Sequence, residues 1–107
     1  MDQRIENIVK LLDEKKAENI QAIDMKNKEY FVDSVIIATT MGSKHGFALL
    51  DYLKAKLKET KESFLNIEQS DEWIVMDLGD MLIHLMSAEY RTRYNLEEFL
   101  SQREVEG

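Results

Sequence analysis

The chain has no cysteine, no proline, four glycines and a single tryptophan. Without cysteine there is neither a disulfide nor a thiolate nucleophile, a usage that fits a reducing cytosol. There is no repeat, low-complexity segment or linker either, so the 107 residues read as one domain, 1–107. No apolar run approaches the ~20 residues of a membrane span, and Met1-Asp-Gln-Arg-Ile-Glu6 lacks the pattern of a signal peptide. The expectation is a cytoplasmic protein without membrane contact. Basic side chains are scarce too: 14 Lys and Arg stand against 21 Asp and Glu, for a net charge of −7. A chain of that sign repels phosphate, which argues against nucleic acid as the main ligand and for a basic partner. Acidity that only keeps a protein soluble is the plainer alternative.

What is present centres on Trp73 to Ser87. Trp73–Met76 and Met81–Met86 are rich in β-branched and large apolar residues, and Asp77-Leu-Gly-Asp80 between them carries turn chemistry. The spacing predicts a hairpin with Met81, Ile83 and Leu85 on one face and Leu82, His84 and Met86 on the other. Both faces are apolar, so both need cover or a partner.

The other segments supply that cover. Ile5, Ile8, Val9, Leu11 and Leu12 share one stripe, which predicts an amphipathic helix over Arg4–Lys15. Asn19–Met25 reads as a strand and Val35–Thr39 as a buried, central, parallel one. Lys44–Lys61 is a second helix with Ala48, Leu49, Tyr52, Leu53 and Leu57 inside and Ser43 as its cap. Phe64–Ile67 is a short edge strand, and Glu68–Glu72 an acidic turn. Ala88–Arg93 is a helical turn, and Asn95-Leu-Glu-Glu98 opens a last short helix. The tail from Ser101 is expected to fray. The sum is a single α/β domain, a mixed sheet of about five strands with helices packed on it.

Catalytic signatures are thin. Gly42-Ser43 before a helix has the look of a nucleotidyltransferase's phosphate-holding loop, but the paired carboxylates that hold its metal ions do not follow. Only Asp51 is there, so Ser43 reads better as a cap. Asp77, Asp80 and His84 are too few for zinc, and acids flanking a turn glycine serve the turn. No Ser–His–Asp set and no G-x-x-x-x-G-K loop appears. No catalytic residue, metal or cofactor is expected. Trp73 allows two readings. It is a core anchor of the sheet, or it is a part-exposed docking residue on an acidic rim, with Met76, Leu78 and Met86 extending the patch. Arg91, Arg93 and Tyr94 look like an internal network.

These residues also resemble a known family. Trp73, Asp77-x-Gly79-Asp80, His84 and Arg91-x-x-Tyr94-x-Leu96-Glu97 are similar to the closing signature of the ribosomal silencing factor (Iojap-like) family. Asp33-Ser-Val-Ile-Ile-Ala-Thr39 with Lys44-His45 is similar to its central strand and helix start. The likeness runs from Ala17 to Leu100. Departures are local: Thr40 for Gly, Gly42 for Ser, Lys44 for Arg, and Phe99-Leu100 for Leu-Trp. The resemblance implies a nucleotidyltransferase-like fold without catalysis. It also implies binding to large-subunit ribosomal protein L-fourteen, which blocks joining of the small subunit and represses translation when nutrients are scarce. Trp73 and Leu78 are the contacts it carries over; Met76, Asp77, Asp80 and Met86 extend them by the patch argument. A small metal-dependent nucleotidyltransferase and a homodimerisation module are the rival readings.

Overall fold

The computed structural model describes residues 3–26 and 32–95. Helix α1 (Gln3–Glu14) leads to β1 (Glu18–Asp24), β2 (Ser34–Thr40) and helix α2 (Ser43–Glu59). Strands β3 (Asn66–Gln69), β4 (Trp73–Asp77) and β5 (Met81–Ser87) follow, and α3 (Ala88–Tyr94) closes the described chain. The five strands form one mixed sheet in the order β1-β2-β5-β4-β3. Only β2 and β5 run parallel, which the long connection through α2 makes possible. The expected parallel strand is there, but the centre of the sheet belongs to β5.

Two apolar clusters lie on opposite faces. On one, Ile5, Ile8 and Leu12 of α1 and Leu49, Leu53 and Leu57 of α2 pack on Ile36, Ile74, Met76, Ile83 and Leu85. On the other, Met25, Val32, Val35, Ile37, Leu82 and Met86 are buried, with Trp73, Val75 and Tyr90 packed against them. The period-two split of the hairpin is therefore as expected, and both of its faces are closed.

Helix ends show where local chemistry decides. α1 and α2 finish in the same motif, a lysine in the left-handed region: Lys16 (φ 66°) and Lys61 (φ 65°). Ala17 N–H returns to Leu12 O and Glu62 N–H to Leu57 O, both at 3.0 Å, which satisfies otherwise orphaned carbonyls.

Several expectations need correction. Ser43 does not cap α2; it is the first helical residue, and Gly42 (φ 141°) stands at the cap without a side chain to bond. Inside α2, Leu50 is buried where Ala48 was expected, because Ala48 lies on the exposed flank. The edge strand starts two residues late. Pairing of Asn66 with Asp77 and Gln69 with Ile74 sets its register, and an edge strand tolerates Glu68 and Gln69 facing water. Asn95 closes α3 as its C-cap (φ 43°, N–H to Arg91 O at 2.9 Å). The helix expected over 95–98 and the tail from 101 otherwise lie outside the described residues. No described helix is long and apolar enough to cross a membrane.

Candidate docking site

Alternation along β4 sorts the candidate residues. Ile74 and Met76 point at the helices and are buried, while Trp73, Val75 and Asp77 face the other way and are half-buried. Met76, expected in an open patch, is 0 % exposed and belongs to the helix-side core. Met86 is also withdrawn, at 2 % exposed: it lies directly opposite Trp73 across the β4–β5 ladder and supports the indole from within.

Trp73 is neither wholly enclosed nor free. Its indole N–H donates to His84 Nδ1 at 3.2 Å. The two rings are parallel to within 7° with centroids 6.0 Å apart, so they meet edge to edge through that bond. Tyr90 stacks on the indole at 5.6 Å, and Tyr94 leans on Tyr90 at 4.5 Å. Together they form an aromatic row that runs from a buried imidazole to an exposed phenol, Tyr94 being 59 % exposed. Exposed Asp71 and Glu72 precede the tryptophan in the β3–β4 turn, where Ser70 N–H and hydroxyl both donate to Trp73 O. Burial pushes the His84 imidazole down to a pKa of about 4, so it is neutral at physiological pH. Burial also raises the Tyr90 phenol.

The other end of β4 is built differently. Asp77 Oδ1 accepts from Gly79 N–H at 2.8 Å, and Gly79 takes φ 96°, a left-handed turn that a side chain would strain. Asp80 is held by Arg4, which also grips Glu62: Arg4 Nη1 donates to Asp80 at 2.8 Å and Arg4 Nε to Glu62 at 2.6 Å. The guanidinium keeps the Asp80 carboxyl below its usual range. Leu78 is 9 % exposed and packs with the helix-side core, whereas Leu65 above Gly79 is 70 % exposed.

Trp73 and Leu78 thus stand at opposite ends of β4, about 17 Å apart along an extended strand. Of the six candidates, Trp73, Asp77 and Asp80 offer surface, Leu78 a sliver, and the two methionines none. Tyr90 and Leu65 were not anticipated. The Tyr90/Tyr94 spacing of four residues after a serine, which places both on one helix face, is the signal that could have found the first.

Elsewhere the polar residues are structural. His45 Nδ1 accepts from Met41 N–H at 2.9 Å and its Nε2 bonds Lys15 O at 2.7 Å, tying α2 to the end of α1. Arg91 is buried and donates to Asn19 O and Thr39 Oγ1, an internal role as expected. Among the described residues no three His, Cys, Asp or Glu converge to hold a metal ion.

The family model described as "Ribosomal silencing factor during starvation" matches residues 1–106. The chain belongs to the ribosomal silencing factor family. It is 30% identical over 96 residues to a ribosomal silencing factor of Haemophilus influenzae, covering 88% of this chain and 94% of that one. It is 31% identical over 104 residues to the mouse protein "Mitochondrial assembly of ribosomal large subunit protein 1", covering 92% of this chain. Of that mouse protein's own length the chain spans about half, 46%. A crystal structure of a Chromobacterium violaceum protein superposes with a TM-score of 0.85 at 27% identity, over 94% of this chain and 88% of that one. A Bacillus halodurans structure gives 0.79 at 29%, over 92% and 94%. The silencing-factor fold is therefore shared along nearly the whole chain.

Proposed function

We propose that this silencing-factor chain is a non-catalytic ribosome-binding regulator. It docks on the large subunit through ribosomal protein L-fourteen and so keeps the small subunit from joining. The observation that carries the reading is a half-buried tryptophan held by a hydrogen bond and a stacked ring in an aromatic row beside an acidic turn. An aromatic anchor within a charged rim is the usual anatomy of a protein-binding hot spot. The net charge of −7 favours a basic partner and speeds its encounter.

Size is consistent with occupancy as the mechanism. A standard interface buries about 800 Å² per partner, roughly 30 Å across. Trp73 and Asp77, on the same face of β4, lie well within such a span, whereas Leu78 and Asp80 turn toward the helix side. A partner seated there excludes any second large surface, and no bond needs to be made or broken. Family membership and the relatives' names support ribosome association; the residues support the choice of surface.

The test is a subunit-joining assay read by sedimentation, with purified small and large subunits and increasing amounts of this protein. Trp73→Ala is expected to weaken binding to large subunits by about 2 kcal/mol or more while unfolding stays cooperative. Joining that proceeds unhindered with saturating wild-type protein refutes the reading.

A further inference from the structure

We infer that His84 is a positioning residue for Trp73, holding the indole in the orientation in which it meets its ribosomal partner. The inference rests on the docking role proposed above and goes further by assigning a residue that makes no contact with the partner itself.

The geometry is specific. Trp73 pairs with Met86 and Val75 with His84 across the β4–β5 ladder, so the imidazole lies one pleat along from the indole on the same face. Its Nδ1 takes the indole N–H, and Tyr90 covers a ring face. Two contacts of different kinds thus fix the side-chain torsions. The only polar atom of the indole is satisfied inside the chain, which leaves hydrocarbon to face outward. A partner then need not supply an acceptor, and little rotamer freedom remains to be lost on binding.

The second observation is a cost. With Nδ1 accepting, the ring proton sits on Nε2, and that atom is buried with no hydrogen-bond partner among the described residues. His84 is only 6 % exposed, between Ile83 and Leu85 in the central strand of the sheet. An unmet donor in such a place disfavours the fold relative to an apolar ring of similar size. Stability alone therefore does not account for a histidine at this position. Its bond to Trp73 does.

The opposed consequences make the inference testable. His84→Phe keeps the ring and removes both the acceptor and the orphaned donor; His84→Asn restores an acceptor close to the place of Nδ1. The expected result for His84→Phe is a melting temperature no lower than wild type. Its affinity for purified large subunits is expected to fall at least tenfold, mostly through faster dissociation. The indole N–H resonance of the single tryptophan is expected to shift and to lose protection from solvent exchange. His84→Asn is expected to recover most of the affinity without recovering more stability. Wild-type affinity in His84→Phe overturns the inference. So does a loss that tracks unfolding, or His84→Asn binding no better than His84→Phe. If the wild-type protein itself fails to bind large subunits, the docking role falls; an unmoved indole resonance in His84→Phe would then separately show that His84 does not hold the ring.

Discussion

The two faces of the sheet use the same strands for different ends. The centre of the helix-side face is apolar: Leu49, Leu53, Ile36, Met76, Ile83 and Leu85 interlock, and its buried hydroxyls, Ser34 and Thr40, stand at the two ends of β2. The opposite face is buried nearly as well, yet carries a neutral imidazole whose donor is unmet among the described residues, an indole bonded to it and a tyrosine stacked on that indole. One face maximises stability. The other gives up some of it to hold an aromatic anchor in one orientation at the surface.

The comparison breaks most visibly on the helix side. Leu53 is fully buried, and Leu53→Ala is expected to lower stability by about 3 kcal/mol, read as the urea midpoint at constant m-value. Binding per folded molecule is expected to be unchanged, the mirror image of Trp73→Ala. Equal effects of both variants on affinity would erase the distinction between the faces.

A smaller effect is pH. The His84 imidazole is neutral in the folded chain down to about 4, whereas an unfolded histidine takes up its proton near 6.5. Between those values the unfolded chain binds more protons, so stability falls as pH drops through the window, by up to about 1.4 kcal/mol per unit, and is level above it. Asp80 works in the same sense but lower down: its contribution is present above its ordinary value of 3.8 and lost as pH falls below it, so it adds little within this window. Calorimetric melting of His84→Phe from pH 7 to pH 4.5 is expected to be flatter than wild type.

The smallest change concerns neither face. Lys61 holds a left-handed turn that glycine adopts without strain, so Lys61→Gly is expected to raise stability by about 1 kcal/mol and leave docking as it was. A destabilised Lys61→Gly would show that the lysine side chain does more at this helix end than its backbone suggests.

Much of this arrangement was legible in the residues. The stripe Ile5, Ile8, Leu11, Leu12 can be satisfied only by a helix on a core, and the alternation through Met81–Met86 only by a strand covered on both sides. Those are periodicities, local properties of a chain in water. Exposure of the candidate site was less legible. Met76 and Met86 look as apt for a docking patch as Trp73, because composition says that a residue is apolar and not which way its strand has turned. Asp80 likewise looks available until Arg4, 76 positions away, is found against it. The register of β3 against β4 was hidden for the same reason, since pairing overrode the polarity of Glu68 and Gln69.

Sequence by itself determined the class of protein: one α/β sheet domain, acidic, with a lone tryptophan leading an apolar hairpin. Those are sums and short-range patterns, and no neighbour can alter them. Only the tertiary structure decided which apolar residues face water, and that Trp73 stands between His84 and Tyr90. Burial and hydrogen-bond geometry belong to pairs of residues, and a linear chain does not say which pairs will meet.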